Sequence, residues 1–357
     1  MAVNDWIVDF PTLGDLWDAW VQAHCRVPDG FDRGEPFMWS DWQFWISAKH
    51  GQIRKGIKWA GKPLKSDAFQ YRRTQAIAPQ KTGKGPWSAS MTALLAVGPS
   101  EFDGFAKEGE QYRCSEWGCS CGFIHDYLPG EPKGRRHPSP LIQLTAVSQD
   151  QVHTNIFDPL TSMISLGPLK HLMVDRGEFV RIYGNVGGEK SDRIDVVTSS
   201  ARSRLGNPIS AAIQDEVGLW TKSNGMKDVA ETQRRGLAGM GGRAIETTNA
   251  YDSSLNSVAQ QTHESPVEDI FRFYIPPPAG LAWSNLEDRR KILEAVYRGS
   301  PWVSIDAVMA EAAELSIKDP EQAERFFGNK ITYSSGAWMR RERWEAAFAL
   351  APQSASR

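Results

Sequence analysis

Cysteine, long apolar runs and net charge are all scarce in this sequence. Four Cys among 357 residues are too few for a scaffold held together by disulfides, so a reducing compartment is expected. The nearest candidate for a membrane segment, Met91–Val97, is far shorter than the roughly 18 apolar residues that a span needs. The formal net charge of -2 excludes a histone-like basic protein, although a local basic face is compatible with it.

Apolar and aromatic residues, in contrast, are plentiful. Hydrophobic residues make up 41% of the chain and charged residues 24%, which is enough for a core and excludes wholesale disorder. At roughly 150 residues per domain, the length allows one large domain or two ordinary ones. Six of the 14 Trp fall in the first 45 residues, and they predict a packed helical element over residues 1–35.

Segments with strand-like and helix-like patterns alternate along most of the chain. This alternation favours an α/β fold with a mostly parallel central sheet flanked by helices, which we expect at residues 36–270. Residues 98–140 are rich in Gly, Pro, Cys and charge and are predicted to be an insertion. A hairpin is predicted over Lys55–Lys65 and a single helix over Gln149–Met163. Residues 271–350 have a mainly helical pattern and are predicted to form a smaller subdomain.

A candidate phosphate-binding loop lies where the predicted strand Thr74–Ala78 ends and a helix begins. Its residues are Ala78, Pro79, Gln80, Lys81, Thr82, Gly83, Lys84 and Gly85. In such a loop, backbone N–H groups converge on phosphate oxygens, and Lys84 reaches the β- and γ-phosphates. The match to G-x-x-x-x-G-K-S/T is imperfect, because Ala78 replaces the first Gly and Gly85 replaces the hydroxyl residue that ligates Mg²⁺. For this motif alone, an ordinary turn between strand and helix is the alternative.

Two neighbouring carboxylates follow an apolar strand predicted over Ile209–Ile213. In P-loop ATPases, an Asp in the place of Asp215 holds Mg²⁺, and a Glu in the place of Glu216 orients and deprotonates the attacking water. An isolated Asp-Glu pair is more often the start of a helix, so the phosphate loop upstream is what favours catalysis. A further predicted strand ends in hydroxyl and amide side chains, those of Thr247, Thr248 and Asn249. Such a tip can sense the γ-phosphate and couple its loss to movement.

The order of these motifs resembles the large terminase subunit of tailed bacteriophages, an ATP-driven DNA-packaging motor. Trp42 and Gln43 resemble the family's adenine-recognising Gln motif, and residues 78–84 resemble its deviant Walker A. Residues 205–216 resemble its Walker B, and residues 247–249 resemble its coupling motif. Each motif is short, and it is their order along the chain that carries the resemblance.

The resemblance implies a RecA-like P-loop ATPase with a small helical lid subdomain, and it implies ATP and Mg²⁺ as cofactors. It also implies an arginine finger that acts on a neighbouring subunit, supplied by Arg202 or Arg204, with Arg204 preferred. The family normally carries a C-terminal nuclease domain, which we expect to be absent here because few residues follow Trp344.

The resemblance also implies partners. These are double-stranded DNA, the portal protein, the small terminase subunit and further copies of the chain in a ring on the capsid, in the cytoplasm of the infected bacterial host and with no membrane. Contacts to DNA phosphates need only a few basic side chains per subunit. Candidates for them include Lys55, Lys58 and Lys62.

Two other functions stay open at this point. Gly85 removes the usual Mg²⁺-ligating hydroxyl, so a nucleotide-binding scaffold with little turnover is the alternative from another class. Another P-loop nucleic-acid motor, such as a helicase, is the alternative within enzymes. It would need a second RecA-like domain, for which the length leaves little room.

Three of the four cysteines lie close together in the predicted insertion. With a nearby histidine they offer three thiols and an imidazole, the donor set of a tetrahedral Zn²⁺ site. The candidate ligands are Cys114, Cys119, Cys121 and His125. The spacing is not that of a standard zinc finger, and a loop with reduced cysteines is the alternative.

Overall fold

An eight-stranded sheet forms the centre of the computed structural model, which describes residues 6–62, 64–183, 192–198 and 207–333. Its strands, together with those of two small sheets, are β1 (Arg73–Ile77), β2 (Glu101–Phe105), β3 (Gln111–Arg113), β4 (Ile124–Asp126), β5 (Pro132–Arg135), β6 (Leu141–Thr145), β7 (Met173–Asp175), β8 (Phe179–Ile182), β9 (Arg193–Val197), β10 (Ala211–Gln214), β11 (Arg243–Thr248) and β12 (Ile270–Tyr274). The α-helices are α1 (Gly14–His24), α2 (Asp41–His50), α3 (Lys84–Val97), α4 (Gln149–Val152), α5 (Asp158–Leu166), α6 (Met226–Met240), α7 (Val258–His263), α8 (Leu286–Val296), α9 (Ile305–Lys318) and α10 (Pro320–Phe326).

The strands of the main sheet follow the order β12-β1-β11-β10-β6-β9-β8-β7. Neighbouring strands from β12 to β9 are parallel, and β8 and β7 add an antiparallel edge. The central strands β10 and β11 are buried at every residue, as expected for parallel strands that helices cover on both faces. The prediction of a mostly parallel α/β sheet flanked by helices is therefore confirmed.

The tryptophans near the N-terminus belong to the main hydrophobic core. Trp17 and Trp20 of α1 are fully buried, and the indole N–H of Trp17 donates to the carbonyl of Pro99 at 2.8 Å. In α2, Trp42 packs against Trp87 of α3 with the ring centroids 5.9 Å apart. The aromatic side chains thus fix α1 and α2 near α3, the helix that begins at the candidate phosphate loop.

Two local predictions from the sequence are wrong. The described residues of the segment Lys55–Lys65 contain no strand, so they form no hairpin. The single helix predicted over Gln149–Met163 is interrupted, because the π-helical turn His153–Phe157 separates α4 from α5. Single π-turns within helices are frequent at functional sites, and this one contacts the phosphate loop.

Residues 98–140 hold two small antiparallel pairs outside the main sheet. β2 pairs with β5, and β3 pairs with β4. Isolated two-stranded pairs are marginally stable in water, so these pairs depend on contacts with the rest of the molecule.

The helices α8, α9 and α10 pack around a hydrophobic cluster of their own that includes Trp283, Leu293 and Phe327. They also contact the phosphate loop, since the backbone N–H of Gln80 donates to the carbonyl of Phe326 at 3.0 Å. We call α8–α10 the lid helices. Within the described ranges, no helix has both the length and the apolar character needed to cross a membrane.

Candidate nucleotide-binding site

Three adjacent parallel strands bring the predicted motifs to one edge of the sheet. β11 lies between β1 and β10, with Ile77 opposite Thr248 and Gln214 opposite Glu246. The carboxyl ends of parallel strands meet at the same edge, which is where α/β folds bind ligands. The phosphate loop, the acidic pair and the tip of β11 therefore face one another, although they are far apart in sequence.

The phosphate loop has an unusual backbone. Lys81 and Gly83 have positive φ angles of 66° and 84°, and the hydroxyl of Thr82 donates to the carbonyl of Pro79 at 2.8 Å. A Cβ at Gly83 would lie 2.8 Å from the ring of Trp302. Both the backbone conformation and the lack of space thus require glycine at this position.

Lys84 is the first residue of α3 and is buried. Its ammonium group donates to the carbonyls of Ala78 and Pro79 at 2.8 and 2.7 Å, and to Asn249 Oδ1 at 2.9 Å. Burial lowers the pKa of Lys84, and the charges of the acidic pair oppose this by raising it. The structure thus places a cation beneath the loop, within reach of any phosphate that the loop would hold.

Asp215 directly follows β10 and is buried. Its Oδ1 accepts a hydrogen bond from the Thr247 hydroxyl at 2.6 Å, and its Oδ2 accepts one from the Asn155 amide at 2.7 Å. Each oxygen retains a lone pair, and carboxylate oxygens are ligands that Mg²⁺ prefers. The chemistry of these oxygens therefore fits Mg²⁺, which Asp215 would hold.

Glu216 is held in a left-handed backbone conformation with a φ of 50°, which is uncommon for a residue with a side chain. Its carboxylate accepts hydrogen bonds from the Asn249 side-chain amide at 3.1 and 3.3 Å. Burial raises the pKa of Glu216 to about 7; the charge of Lys84 lowers it and that of Asp215 raises it. A general base works best with a pKa near the working pH, and Glu216 meets this condition.

The tip of β11 connects these groups. Asn249 accepts from Lys84 and donates to Glu216, so it bridges the cation and the acid. Thr247 orients Asp215, while the Thr248 hydroxyl accepts from the backbone N–H of Gly218 at 3.0 Å and donates to the carbonyl of Asn249 at 2.9 Å. The three residues predicted to couple hydrolysis to movement thus lie among the predicted catalytic groups.

Gly85, the main departure from a Walker A motif, has a steric explanation. A Cβ at Gly85 would lie 2.3 Å from the main-chain carbonyl oxygen of Asn155, whereas real Cβ contacts stay beyond 3.0 Å. The π-helical turn that carries Asn155 therefore excludes Ser or Thr at position 85. The same turn brings the Asn155 amide to Asp215, a contact that the sequence did not reveal.

Of the two residues assigned to adenine recognition, Gln43 lies at the loop and Trp42 lies in the core. Gln43 Nε2 donates to the carbonyl of Gly83 at 3.3 Å, and its Oε1 accepts from the backbone N–H of Ser40 at 3.1 Å. Trp42 is 2% exposed and stacks on Phe273 with the centroids 5.7 Å apart. Its side chain packs α2 against the core and has little exposed surface that a ligand could contact.

An open cavity of about 610 Å³ adjoins the loop. Its lining includes Gln43, Gly83, Pro86 and Trp302, together with residues of the segment 27–38. The volume is in the range of small-molecule sites. The Trp302 indole N–H also donates to the carbonyl of Lys81 at 3.1 Å, so a residue between α8 and α9 helps to shape this cavity.

Two further observations concern arginines. Arg202 and Arg204, the candidate fingers, lie outside the described residues. Arg325 of α10 was not singled out from the sequence, yet its charge acts on Glu216 and lowers the pKa of that carboxyl. No local pattern reveals Arg325 or Trp302, because both reach the site through long-range packing.

The three cysteines of the predicted zinc site lie together, but their histidine partner is not His125. His125 Nε2 is 2.9 Å from Glu131 Oε1, in a hydrogen bond within the insertion. The residue that joins Cys114, Cys119 and Cys121 is His24 of α1. The prediction of His125 as the fourth ligand is therefore wrong, because spacing along the chain could not show that α1 packs against the insertion.

A solved terminase structure shares this fold. The crystal structure of the HK97 bacteriophage large terminase matches with a TM-score of 0.59 and 16% sequence identity, over 89% of this chain and 55% of that chain. The large terminase of a thermophilic bacteriophage matches with a TM-score of 0.47 and 9% identity, over 83% of this chain and 54% of that chain. The large terminase ATPase domain of a Thermus phage matches with a TM-score of 0.42 and 12% identity, over 78% and 95% respectively.

The last two likenesses are too weak to support a conclusion. No protein-family model and no curated protein matches the chain. The chain spans about half the length of the HK97 protein, and at 16% identity this likeness establishes the fold alone. With its mostly parallel sheet flanked by helices, this chain has the fold of the part of the bacteriophage large terminase that it matches.

Proposed function

We propose that this chain is the ATPase motor of a viral terminase, which couples ATP hydrolysis to the translocation of double-stranded DNA into a procapsid. The observation that carries the proposal is the bridge from Lys84 through Asn249 to Glu216 beside the phosphate loop. It joins a phosphate-binding cation to a carboxyl group whose pKa is raised to about 7. The fold shared with the HK97 large terminase supports the same function.

In this proposal the loop and the start of α3 bind the phosphates. Backbone N–H groups at the N-terminus of α3 and the ammonium of Lys84 contact the β- and γ-phosphate oxygens. Lys84 must leave one of its present carbonyl partners to do so. Gln43 and Trp302 position the adenine ring of ATP in the adjoining cavity.

Glu216 acts as the general base. A water attacks the γ-phosphorus, the bond from that phosphorus to the bridging oxygen breaks, and ADP leaves with the bonding electrons, while Glu216 accepts the proton of the water. Mg²⁺, when bound next to Asp215, supplies positive charge to the phosphate oxygens. Asn155 and Thr247 fix the orientation of the Asp215 carboxylate.

Asn249 is proposed to couple chemistry to movement. A bound γ-phosphate competes with Asn249 for the hydrogen bonds that Lys84 donates. The release of phosphate then restores the bridge seen here. From Asn249 the chain continues to Tyr251, whose carbonyl accepts a hydrogen bond at 3.2 Å from the backbone N–H of Thr332, in the segment that follows α10. Through this contact, a change at the γ-phosphate is proposed to reach the segment that follows the lid helices.

The assembly belongs to the same proposal. Arg204, or else Arg202, reaches the active site of a neighbouring copy in a ring on the portal protein, and the small terminase subunit delivers the DNA. Lys55, Lys58 and Lys62 are exposed, which suits contacts with DNA phosphates. In contrast, Arg72 and Arg73 are held by Asp269 and Glu246, so their charges are partly neutralised.

The test is Glu216→Gln, which keeps the shape of the side chain and removes the base. Phosphate release with Mg²⁺ and double-stranded DNA should fall by about 10²-fold or more, while ATP binding measured by calorimetry persists. Glu264→Gln is the matched control, because Glu264 is exposed and contacts only Gln260 among the hydrogen bonds of the described side chains. Equal turnover in the unmodified protein and Glu216→Gln would contradict the proposal.

A nucleotide-binding scaffold with little turnover is the second candidate. Gly85 favours it, because no hydroxyl follows Lys84 to ligate Mg²⁺. The unmodified protein would then bind ATP without releasing phosphate at any concentration of Mg²⁺, DNA or portal protein. That outcome would leave nucleotide binding in place and reject the motor.

A further inference from the structure

Three cysteine sulfurs of the insertion converge on one imidazole nitrogen of α1. His24 Nε2 lies 3.2 Å from Cys114 Sγ, 3.6 Å from Cys119 Sγ and 3.1 Å from Cys121 Sγ. The four possible ligand atoms all lie within 4.8 Å of one another. Around one Zn²⁺, bond lengths of about 2.3 Å to sulfur and about 2.0 Å to nitrogen place tetrahedral ligand atoms roughly 3.5–3.8 Å apart. The distances from Nε2 to the three sulfurs are close to this range.

The imidazole of His24 is oriented as a metal ligand requires. Its Nδ1 lies 2.7 Å from the carbonyl oxygen of Trp20, and a nitrogen beside a carbonyl must carry the proton. In the neutral ring that would bind a metal, the lone pair is then on Nε2, which faces the sulfurs. The Trp20 ring stacks on the imidazole with the centroids 4.2 Å apart. A backbone carbonyl on the second ring nitrogen is the usual support of a zinc-bound histidine.

The loop that carries the cysteines is also arranged around their sulfurs. The backbone N–H of Cys119 donates to the carbonyl of Cys114 at 3.2 Å, and the backbone N–H of Phe123 donates to Cys121 Sγ at 3.4 Å. His24, Cys114 and Cys119 are buried. A disulfide would join only two of the three sulfurs. It would not explain why all three lie next to the His24 imidazole.

We propose that His24, Cys114, Cys119 and Cys121 bind one Zn²⁺ that fastens the insertion to α1. The protein supplies all four ligands, so the site is closed and structural, with no open position for catalysis. The need for it follows from the fold, because the β2–β5 and β3–β4 pairs are too small to be stable by themselves. The ion would link them to a helix of the main core, and its binding energy would add to folding.

The decisive measurement is the metal content of the full-length protein, purified without chelator and without added metal. Elemental analysis should find about one Zn²⁺ per chain. Replacing the zinc with Co²⁺ should give the absorption bands of a tetrahedral site with thiolate ligands. Neither experiment requires a variant to fold. Zinc well below one equivalent together with no such cobalt spectrum would overturn the proposal, and so would a disulfide among the three cysteines.

Variants then identify the ligands. His24→Ala and Cys119→Ser should lose the zinc and melt at a lower temperature, and a chelator should lower the melting temperature of the unmodified protein but not theirs. Cys25→Ala is one matched control, since Cys25 is the remaining cysteine and lies next to His24 but outside the cluster. His125→Gln is the other, because it keeps a partner for Glu131. Zinc loss in either control, with retention in His24→Ala, would reject the assignment of His24.

Discussion

Restoring the hydroxyl of a standard Walker A motif should lower both the stability and the turnover rate of this protein. In Gly85→Ser the new Cβ would lie 2.3 Å from the carbonyl oxygen of Asn155, so α3 or the π-helical turn must shift. Overpacking of this kind typically costs about 1–3 kcal/mol, which for a chain of 357 residues corresponds to a fall of about 1–4 °C in the melting temperature. The shift would also move Asn155 away from Asp215, so Mg²⁺-dependent turnover should fall rather than rise.

Calorimetry and phosphate release, measured on the same samples, test this reasoning. Asn155→Ala in the Gly85→Ser background should not restore stability, because the close contact is with a main-chain atom that the second substitution retains. The matched control is Gly239→Ala in α6, where a Cβ would meet nothing within 4 Å; it should be neutral or stabilising by up to about 1 kcal/mol. A Gly85→Ser protein that melts like the unmodified one and hydrolyses ATP faster would refute the steric account.

Four further predictions concern the same site. Lys84→Ala should abolish the rise in melting temperature that ATP gives the unmodified protein, because it removes the cation beneath the loop; an unchanged rise would contradict the assignment. The turnover rate should fall about tenfold per pH unit below a midpoint near 7, because the raised pKa of Glu216 leaves the base protonated there. Arg325→Gln removes a charge that lowers this pKa, so it should move the midpoint upward, and a midpoint that stays or falls would exclude an effect of Arg325 on Glu216. Trp302→Ala should weaken ATP binding about 3- to 10-fold, as expected for the loss of an aromatic contact of about 0.5–1.5 kcal/mol, whereas Ile317→Ala, at an exposed residue of α9, should leave the dissociation constant unchanged.

The sequence alone was sufficient to predict the location of residues whose position follows from the strand order. Lys84, Asp215 and Asn249 each follow a buried strand, and parallel strands end at a common edge. Their type and their place after a strand therefore predicted a shared site. The structure joins Lys84 to Asn249 at 2.9 Å and places Asp215 2.6 Å from the hydroxyl of Thr247, at the end of the same strand that leads to Asn249. The mostly parallel sheet could be predicted for the same reason, because buried strands that alternate with helices have few other arrangements.

The sequence alone could not predict contacts that depend on packing between segments far apart in the chain. Asn155 reaches Asp215 only because a π-turn interrupts a helix that the apolar pattern predicts as continuous. His24 reaches the cysteines because α1 packs on the insertion, some 90 residues further along the chain. His125 had the better spacing but lies in β4, where Glu131 holds its ring. Periodicity describes one segment at a time, so it does not show which segments meet.

In the proposed mechanism, the bridge between Lys84 and Glu216 would allow a site with buried charges to exchange its ligand. If the two residues formed a direct buried ion pair, a nucleotide would have to break it, and uncoupling such a pair typically costs about 3–5 kcal/mol. Asn249 instead stands between them and holds each by a hydrogen bond, and a hydrogen bond to a charged group contributes about 1.5–3 kcal/mol. A phosphate oxygen can replace the amide oxygen on Lys84 while the amide N–H groups stay on Glu216. In the proposed mechanism, Lys84 can therefore turn to the phosphate without leaving Glu216 unpaired, which is what repeated cycles of binding and release would require.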